Sequence, residues 1–187
     1  MRLLITGTTG GIGGAIKVEA LARGHEVVEI NRADFANLQV GHEPFDALVF
    51  ATGTCPVRPL ALLDEGEFAE TFAVNCGLFM RLMKHIVKNR LYGQSGMSAV
   101  AISSVSANEG WAGGAAYCAS KGALSALCRA LDVELRPKGI SVVVIEPRYV
   151  RTKMFDDCAG RMGVDPQLAK DPGELAREVL GMLSNRR

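Results

Sequence analysis

Short apolar runs alternate with stretches of helical period along the chain. RLLIT (2–6), HEVVEI (25–30), FDALVFATG (45–53), MSAVAISS (97–104) and ISVVVIEP (140–147) are predicted strands. Between them, AIKVEALARG (15–24) spaces its apolar residues as a helix does and stops at Gly24. Residues 64–91 predict a long helical region with Asp64 as its N-cap. Residues 117–139 predict a helix ending near Pro137 and Gly139. A last helix is predicted over 171–183, with Asp171 as cap and Pro172 in the first position. The cores VVVI, LVF and AVAI are apolar throughout, as strands are when both faces of a sheet are covered. The pattern predicts a doubly wound parallel α/β fold, a three-layer Rossmann-like sandwich, with residues 1–187 as one domain. Residues 31–44 are polar and irregular, with little room for a complete strand and helix.

Composition narrows the function. Hydrophobic residues make up 48% of 187, enough for a core without disulfides or metal. Lys plus Arg is 21 against 20 Asp plus Glu, so charge makes no case for nucleic acid or an anionic membrane surface. The five cysteines are odd in number, form no CxxC, and stand apart from three widely spaced histidines. That argues for reduced thiols in a cytoplasmic protein and against a metal site. No run approaches the length of a membrane span, and MRLLITG does not read as a signal peptide.

The first strand runs straight into Thr6-Gly7-Thr8-Thr9-Gly10-Gly11-Ile12-Gly13, which opens a helix. Glycine there permits positive φ and close approach of backbone to a pyrophosphate, and the helix start aims N–H groups at it. Its place within a strand–turn–helix–strand unit makes it a dinucleotide turn. After the second strand comes Asn31, then Arg32, where an acidic residue would select NAD. Asn does not repel a 2′-phosphate and a guanidinium holds one, which favours NADP over NAD. The alternative for Arg32 is a solvated surface residue. Asp34 would bond the adenine edge, or repel the phosphate if it pointed inward.

The second candidate site is the pair Tyr117 and Lys121. Residues four apart share a helix face, and an ammonium beside a phenol lowers its pKa from about 10. Such a phenol exchanges protons near neutral pH. Ser104 ends a strand, where this fold binds ligands, and its hydroxyl suits a substrate oxygen. Asn75 lies inside the apolar run FAVNCGLFM. It either holds a water in a proton path to Lys121 or packs against backbone.

Taken together, TGTTGGIG, Asn75, Ser104, Tyr117 and Lys121 resemble the short-chain dehydrogenase/reductase family, with its TGxxxGxG turn and Asn-Ser-Tyr-Lys tetrad. PRYVRT at 147–152 resembles that family's PGxxxT segment. The resemblance runs from residue 1 to about 155. It implies that Tyr117 is the acid/base, that Lys121 tunes it and bonds the nicotinamide ribose, and that Ser104 orients the carbonyl. Asn75 would support a water relay. Gly7, Thr8, Thr9, Gly11, Ile12 and Gly13 would hold the cofactor with Asn31, Arg32 and Asp34. Ala51, Thr52 and Gly53 stand where the family carries Asn-Asn-Ala-Gly, and Pro147, Val150 and Thr152 would meet the nicotinamide.

The departures matter as much. The glycines also fit TGxxGxxG, the pattern of the family's extended epimerase-like members. The Asn pair that ties neighbouring strands is absent, and Arg148 follows Pro147 where a Gly is usual. The third strand and helix look reduced, the seventh strand is missing, and the substrate loop over 150–168 is short. The sheet should therefore be trimmed and the cleft open. Trp111, Tyr149 and Met154 are candidates for an apolar or aromatic substrate side. The expected function is hydride transfer between NADP(H) and a small alcohol/carbonyl substrate; the alternative is a dinucleotide-binding regulator or redox sensor without turnover. A homodimer or higher homo-oligomer through the helices carrying Asn75 and Tyr117 is expected from the family, and no nucleic-acid or membrane partner.

Overall fold

The computed structural model describes residues 1–35, 38 and 40–184. Five strands form one parallel sheet: β1 (Arg2–Thr6), β2 (Glu26–Ile30), β3 (Ala47–Phe50), β4 (Met97–Ile102) and β5 (Ile140–Ile145). Their order is β2-β1-β3-β4-β5, and the register aligns Leu4 with Val28 on one side and Leu48 on the other. The chain thus reverses direction across the sheet between β1 and β3. In such folds ligands bind in the crevice beyond the carboxyl ends of the strands at that point.

Alternation along the strands divides the core in two. Leu4, Leu48, Phe50, Ala99, Ala101 and Val142 pack against α3 (Leu78–Lys88) and α4 (Ala115–Leu135). Leu3, Ile5, Val49, Val100 and Ile102 face the other way. They pack on Ile16 and Ala20 of α1 (Gly11–Ala22) and on Leu175, Val179 and Leu180 of α6 (Pro172–Ser184). All four residues of β3 are buried, as expected for a central strand covered on both faces.

The predicted elements recur with small shifts at their ends. Asp64 caps α2 (Glu65–Phe72) by accepting hydrogen bonds from the Gly66 and Glu67 N–H groups. Between α2 and α3 the helix widens into a π turn over Ala73–Gly77, with Asn75 inside it. In 31–44 the described residues form one 3₁₀ turn, Arg32–Phe35; residues 36, 37 and 39 lie outside the described residues.

The 150–168 segment departs from its expected loop form. It carries α5 (Lys153–Met162), whose start is capped by the Thr152 hydroxyl accepting from the Phe155 N–H at 3.2 Å. Gly163, at φ 65°, ends it. Phe155 and Ala159 pack with Ala169, Tyr149 and Met162 in a small third core, and that apolar stripe is why the segment is helical.

Candidate active site

The crevice at the switch point is a cleft of about 570 Å³. Its floor is the glycine turn. Gly7 has φ 71°, and a Cβ there would lie 2.7 Å from the Ala51 carbonyl oxygen. At Gly13 it would lie 2.2 Å from the Gly7 carbonyl oxygen, and at Gly11 2.5 Å from Thr152 Cγ2. At Gly10 the nearest atom is 3.3 Å away. The steric demand therefore falls on 7, 11 and 13, the spacing of TGxxxGxG rather than TGxxGxxG. No side chain caps α1 at Gly10, so its leading N–H groups face the cleft lined by Gly10 and Gly11.

The Thr6 hydroxyl accepts hydrogen bonds from the Ala51 and Thr52 N–H groups, at 3.2 and 3.3 Å, and ties the ends of β1 and β3 together. Thr6 thus joins neighbouring strands here without the Asn pair. The Thr52 hydroxyl is buried with no hydrogen-bond partner, and Thr52 lines the cleft. An orphaned hydroxyl, free helix N–H groups and a glycine floor all fit a dinucleotide.

The other predicted cofactor residues divide. Asn31 and Arg32 line the cleft, together with Thr9, Ile12 and Gly53. Arg32 is exposed and, among the described residues, pairs with Glu70 at 3.8 Å. Thr8 and Asp34 do not line it. The Thr8 hydroxyl donates to Glu29, which also pairs with Lys17 at 2.6 Å. These bonds hold the Glu29 carboxyl below its ordinary value, Lys17 contributing most. The Asp34 carboxylate accepts the Asn31 N–H at 2.7 Å. Pro147 and Val150 line a neighbouring cavity rather than the cleft, while Thr152 lines both.

That neighbouring cavity, of about 100 Å³, also collects Ser104, Trp111, Tyr149 and Met154. Arg148 stands at it in an ion pair with Glu109, at 2.8 Å. Tyr117, in the first turn of α4, belongs to both cavities. Its ring lies 6.4 Å from that of Trp111. Ser104 caps the turn at Val105–Ala107 by accepting from the Ser106 N–H at 3.1 Å, and it lines the smaller cavity with Tyr117.

Lys121 lies one turn on and is buried. Its ammonium donates to the Ile102 carbonyl at 2.9 Å and stands 5.7 Å from the centre of the Tyr117 ring. The i, i+4 pair is therefore on one face, but the electrostatic expectation is not met. Burial pushes the phenol above its ordinary value, the nearby Cys55 adds to this, and the Ser104 hydroxyl opposes it. Burial also lowers Lys121 to about 8. Desolvation dominates because the ammonium hydrogen bond goes to backbone and not to the phenol.

Asn75 is fully buried and bonded. Its Oδ1 accepts the Thr54 N–H at 2.8 Å, and its Nδ2 donates to the Thr54 carbonyl and the Ser120 hydroxyl. The side chain clamps the chain after β3 to α4. The π turn over Ala73–Gly77 surrounds it. Gly53 sits against this clamp: a Cβ there would be 3.4 Å from Asn75 Oδ1 and 3.6 Å from Lys121 Nζ.

Some site residues carried no signal in the sequence. Ser103 lies 2.9 Å from the Ser125 hydroxyl, which donates to Glu146 at 2.6 Å. This buried relay fixes α4, and with it Tyr117, against β4 and β5. Single serines on separate elements form no pattern until the fold joins them.

The shifts make a stability prediction. Lys121 titrates near 8 in the fold against an ordinary 10.5, so between those values the unfolded chain binds more protons and stability rises with pH. Burial raises Cys55, Cys76, Cys118 and Cys128 above 9.0, so the fold keeps protons the unfolded chain loses, and stability falls beyond that pH. Urea unfolding under reductant should show stability falling above pH 9, as the four thiols of the unfolded chain ionise. Between pH 7 and 9 the wild type should gain stability relative to Lys121→Met, because only the wild type carries the rising lysine contribution. A difference between the two proteins that does not change with pH would contradict the buried ammonium.

A parallel sheet with a glycine turn at its switch point, and a Tyr–Lys pair beside that turn, defines a doubly wound α/β protein of the dinucleotide-binding class. A family model described as short chain dehydrogenase matches residues 29–161, and the chain belongs to that family. Among curated relatives, the short-chain reductase protein NovJ of Streptomyces niveus is 35% identical over 120 residues, 64% of this chain and 45% of that protein. The 3-oxoacyl-[acyl-carrier-protein] reductase FabG of Rickettsia felis is 28% identical over 180 residues, 82% of this chain and 74% of that protein. The chain spans about half to three quarters of the length of these relatives. An actinorhodin polyketide ketoreductase solved with NADPH shares the fold, with a TM-score of 0.81 at 21% identity over 97% of this chain and 89% of that one. No described helix is long and apolar enough to cross a membrane.

Proposed function

We propose that the chain is an NADP(H)-dependent oxidoreductase that reduces a small carbonyl compound or oxidises the matching alcohol, with Tyr117 as the proton-transfer group. The observation that carries this reading is that Tyr117 borders both the glycine-floored cleft and the smaller cavity beside it. A bound nicotinamide supplies or takes the hydride. Ser104, beside Tyr117 on the smaller cavity, orients the substrate oxygen. A phenol held protonated by burial is the form that carbonyl reduction consumes, so Tyr117 donates its proton to the forming alkoxide. Lys121, fixed through Ile102, keeps its ammonium beside that phenol and would hold the nicotinamide ribose. Trp111, Tyr149 and Met154 make the smaller cavity apolar and suit an apolar or aromatic substrate.

Arg32 carries the NADP preference in this reading, because it lines the cleft beside Asn31 and is exposed. Titration of both dinucleotides should show Arg32→Ala weakening NADPH while leaving NADH nearly unchanged. Equal losses for the two would remove Arg32 from phosphate recognition. Initial rates over a panel of aldehydes and ketones test the reaction itself. Tight binding without turnover on any of them would favour a non-catalytic dinucleotide-binding protein. The homodimer belongs to the same reading, and Met80 on α3 and Val133 on α4 are exposed apolar surface that such a contact would cover.

A further inference from the structure

Two free thiols face each other where the cleft and the smaller cavity join. The Sγ atoms of Cys55 and Cys158 are 3.6 Å apart, and Cys158 Sγ is 3.7 Å from the Cys55 carbonyl oxygen. Cys55 belongs to the chain leaving β3, and Cys158 to α5. Both residues line both cavities, as Tyr117 does. Cys55 also lies near Tyr117 and Lys121, with which it lines the cleft. The remaining thiols are placed differently. Cys128 is buried in the α3–α4 core, Cys76 packs against that same core, and the Cys118 thiol donates to the Glu109 carbonyl.

We propose that Cys55 and Cys158 form a redox modification site, in which a hydroperoxide entering the cleft converts the pair to a disulfide that pins α5 to the chain after β3. Cys55 is the more accessible of the two and reacts first. Its thiolate attacks one peroxide oxygen, the O–O bond breaks, and hydroxide leaves as water after protonation. The Cys55 sulfenic acid is then attacked by Cys158, the S–S bond forms and a second water departs. Two thiols lose two electrons and two protons, and one hydrogen peroxide becomes two waters. Closing the gap to a disulfide of about 2.0 Å needs a shift on the order of 1.5 Å, a small displacement for a helix held by a minor core. Burial and the neighbouring thiol keep Cys55 protonated at neutral pH, so the pair resists mild oxidants and answers a sustained peroxide load.

The consequence for function rests on the cofactor reading above. Cys55 lines the cleft, so bound dinucleotide shields it, and by reciprocity the disulfide weakens dinucleotide binding. The test uses the whole chain treated with hydrogen peroxide and then alkylated. Thiol titration under denaturing conditions should show the loss of two of the five thiols. Non-reducing peptide mass spectrometry should find one cross-linked pair, containing Cys55 and Cys158, that dithiothreitol releases. Cys118→Ser should keep that cross-link. Cys158→Ser should abolish it and leave a Cys55 sulfenic acid that dimedone traps. Five surviving thiols, or a cross-link through another cysteine, would overturn the proposal. So would oxidised protein that binds NADPH as tightly as reduced protein. Reduced protein that binds no dinucleotide at all would sink the cofactor reading instead, with the cross-link still deciding the thiol pair.

Discussion

Replacing Tyr117 with phenylalanine is expected to lower carbonyl turnover by about 10²–10⁴-fold, the usual contribution of a positioned acid or base. Dinucleotide affinity should change little. The substitution removes one oxygen and keeps the ring that packs near Trp111 and the Lys121 ammonium. Its effect therefore isolates the proton. Ser104 keeps its bond to the Ser106 N–H, so the neighbouring turn should stay intact. Steady-state rates with the best carbonyl of a panel, alongside dinucleotide titration, read both quantities. Full activity in Tyr117→Phe would move the proton to another donor, Ser104 or water, and end the mechanism proposed above. A loss of binding equal to the loss of rate would mean that the hydroxyl positions the cofactor instead.

Gly13→Ala should abolish dinucleotide binding and lower stability by about 1–3 kcal/mol, the usual penalty for forcing a methyl into packed space. Its Cβ would stand 2.2 Å from the Gly7 carbonyl oxygen and 3.0 Å from that of Thr6, both backbone atoms that no rotamer change relieves. Movement of Gly7 would carry the Ala51 contact with it, so the floor of the cleft shifts as a unit. Gly181→Ala in α6 is the contrast, because a Cβ there meets nothing within 4 Å. That change should stabilise by about 0.8–1 kcal/mol through helix propensity alone. Chemical denaturation and dinucleotide fluorescence read both variants. A Gly13→Ala protein with unchanged affinity would show that the turn does not floor the site.

How far the letters carried is clear from particular residues. The Tyr117–Lys121 pair was legible because a helix fixes the meaning of four residues' separation. The glycine turn was legible because strand, turn and helix are contiguous. The effect of Lys121 on Tyr117 was not, since it depends on how deeply the site is buried and on the Ile102 carbonyl that takes the ammonium. The Cys55–Cys158 contact joins residues 103 apart, and no local pattern announces it. Helix α5 lay between these cases. Phe155, Cys158, Ala159 and Met162 recur at helical spacing, but Gly160 and the pair Asp156 and Asp157 mask the stripe. The bond from Asp34 to its own turn was not legible either. A short acidic side chain satisfies its own backbone before it reaches a ligand.

The packing of α1 on α6 bears on how the molecule comes to exist at all. The helix that opens from the glycine turn buries Ile16 and Ala20 against Leu175, Val179 and Leu180, and nearly the whole sheet lies between them in sequence. On the ribosome α1 emerges early with its apolar face uncovered, and the partner that covers it is made late. Parallel sheets already fold slowly because their pairings are distant. Here the apolar face of α1 is sealed only once α6 has been made, so the nascent chain is prone to aggregate during the interval before α6 arrives.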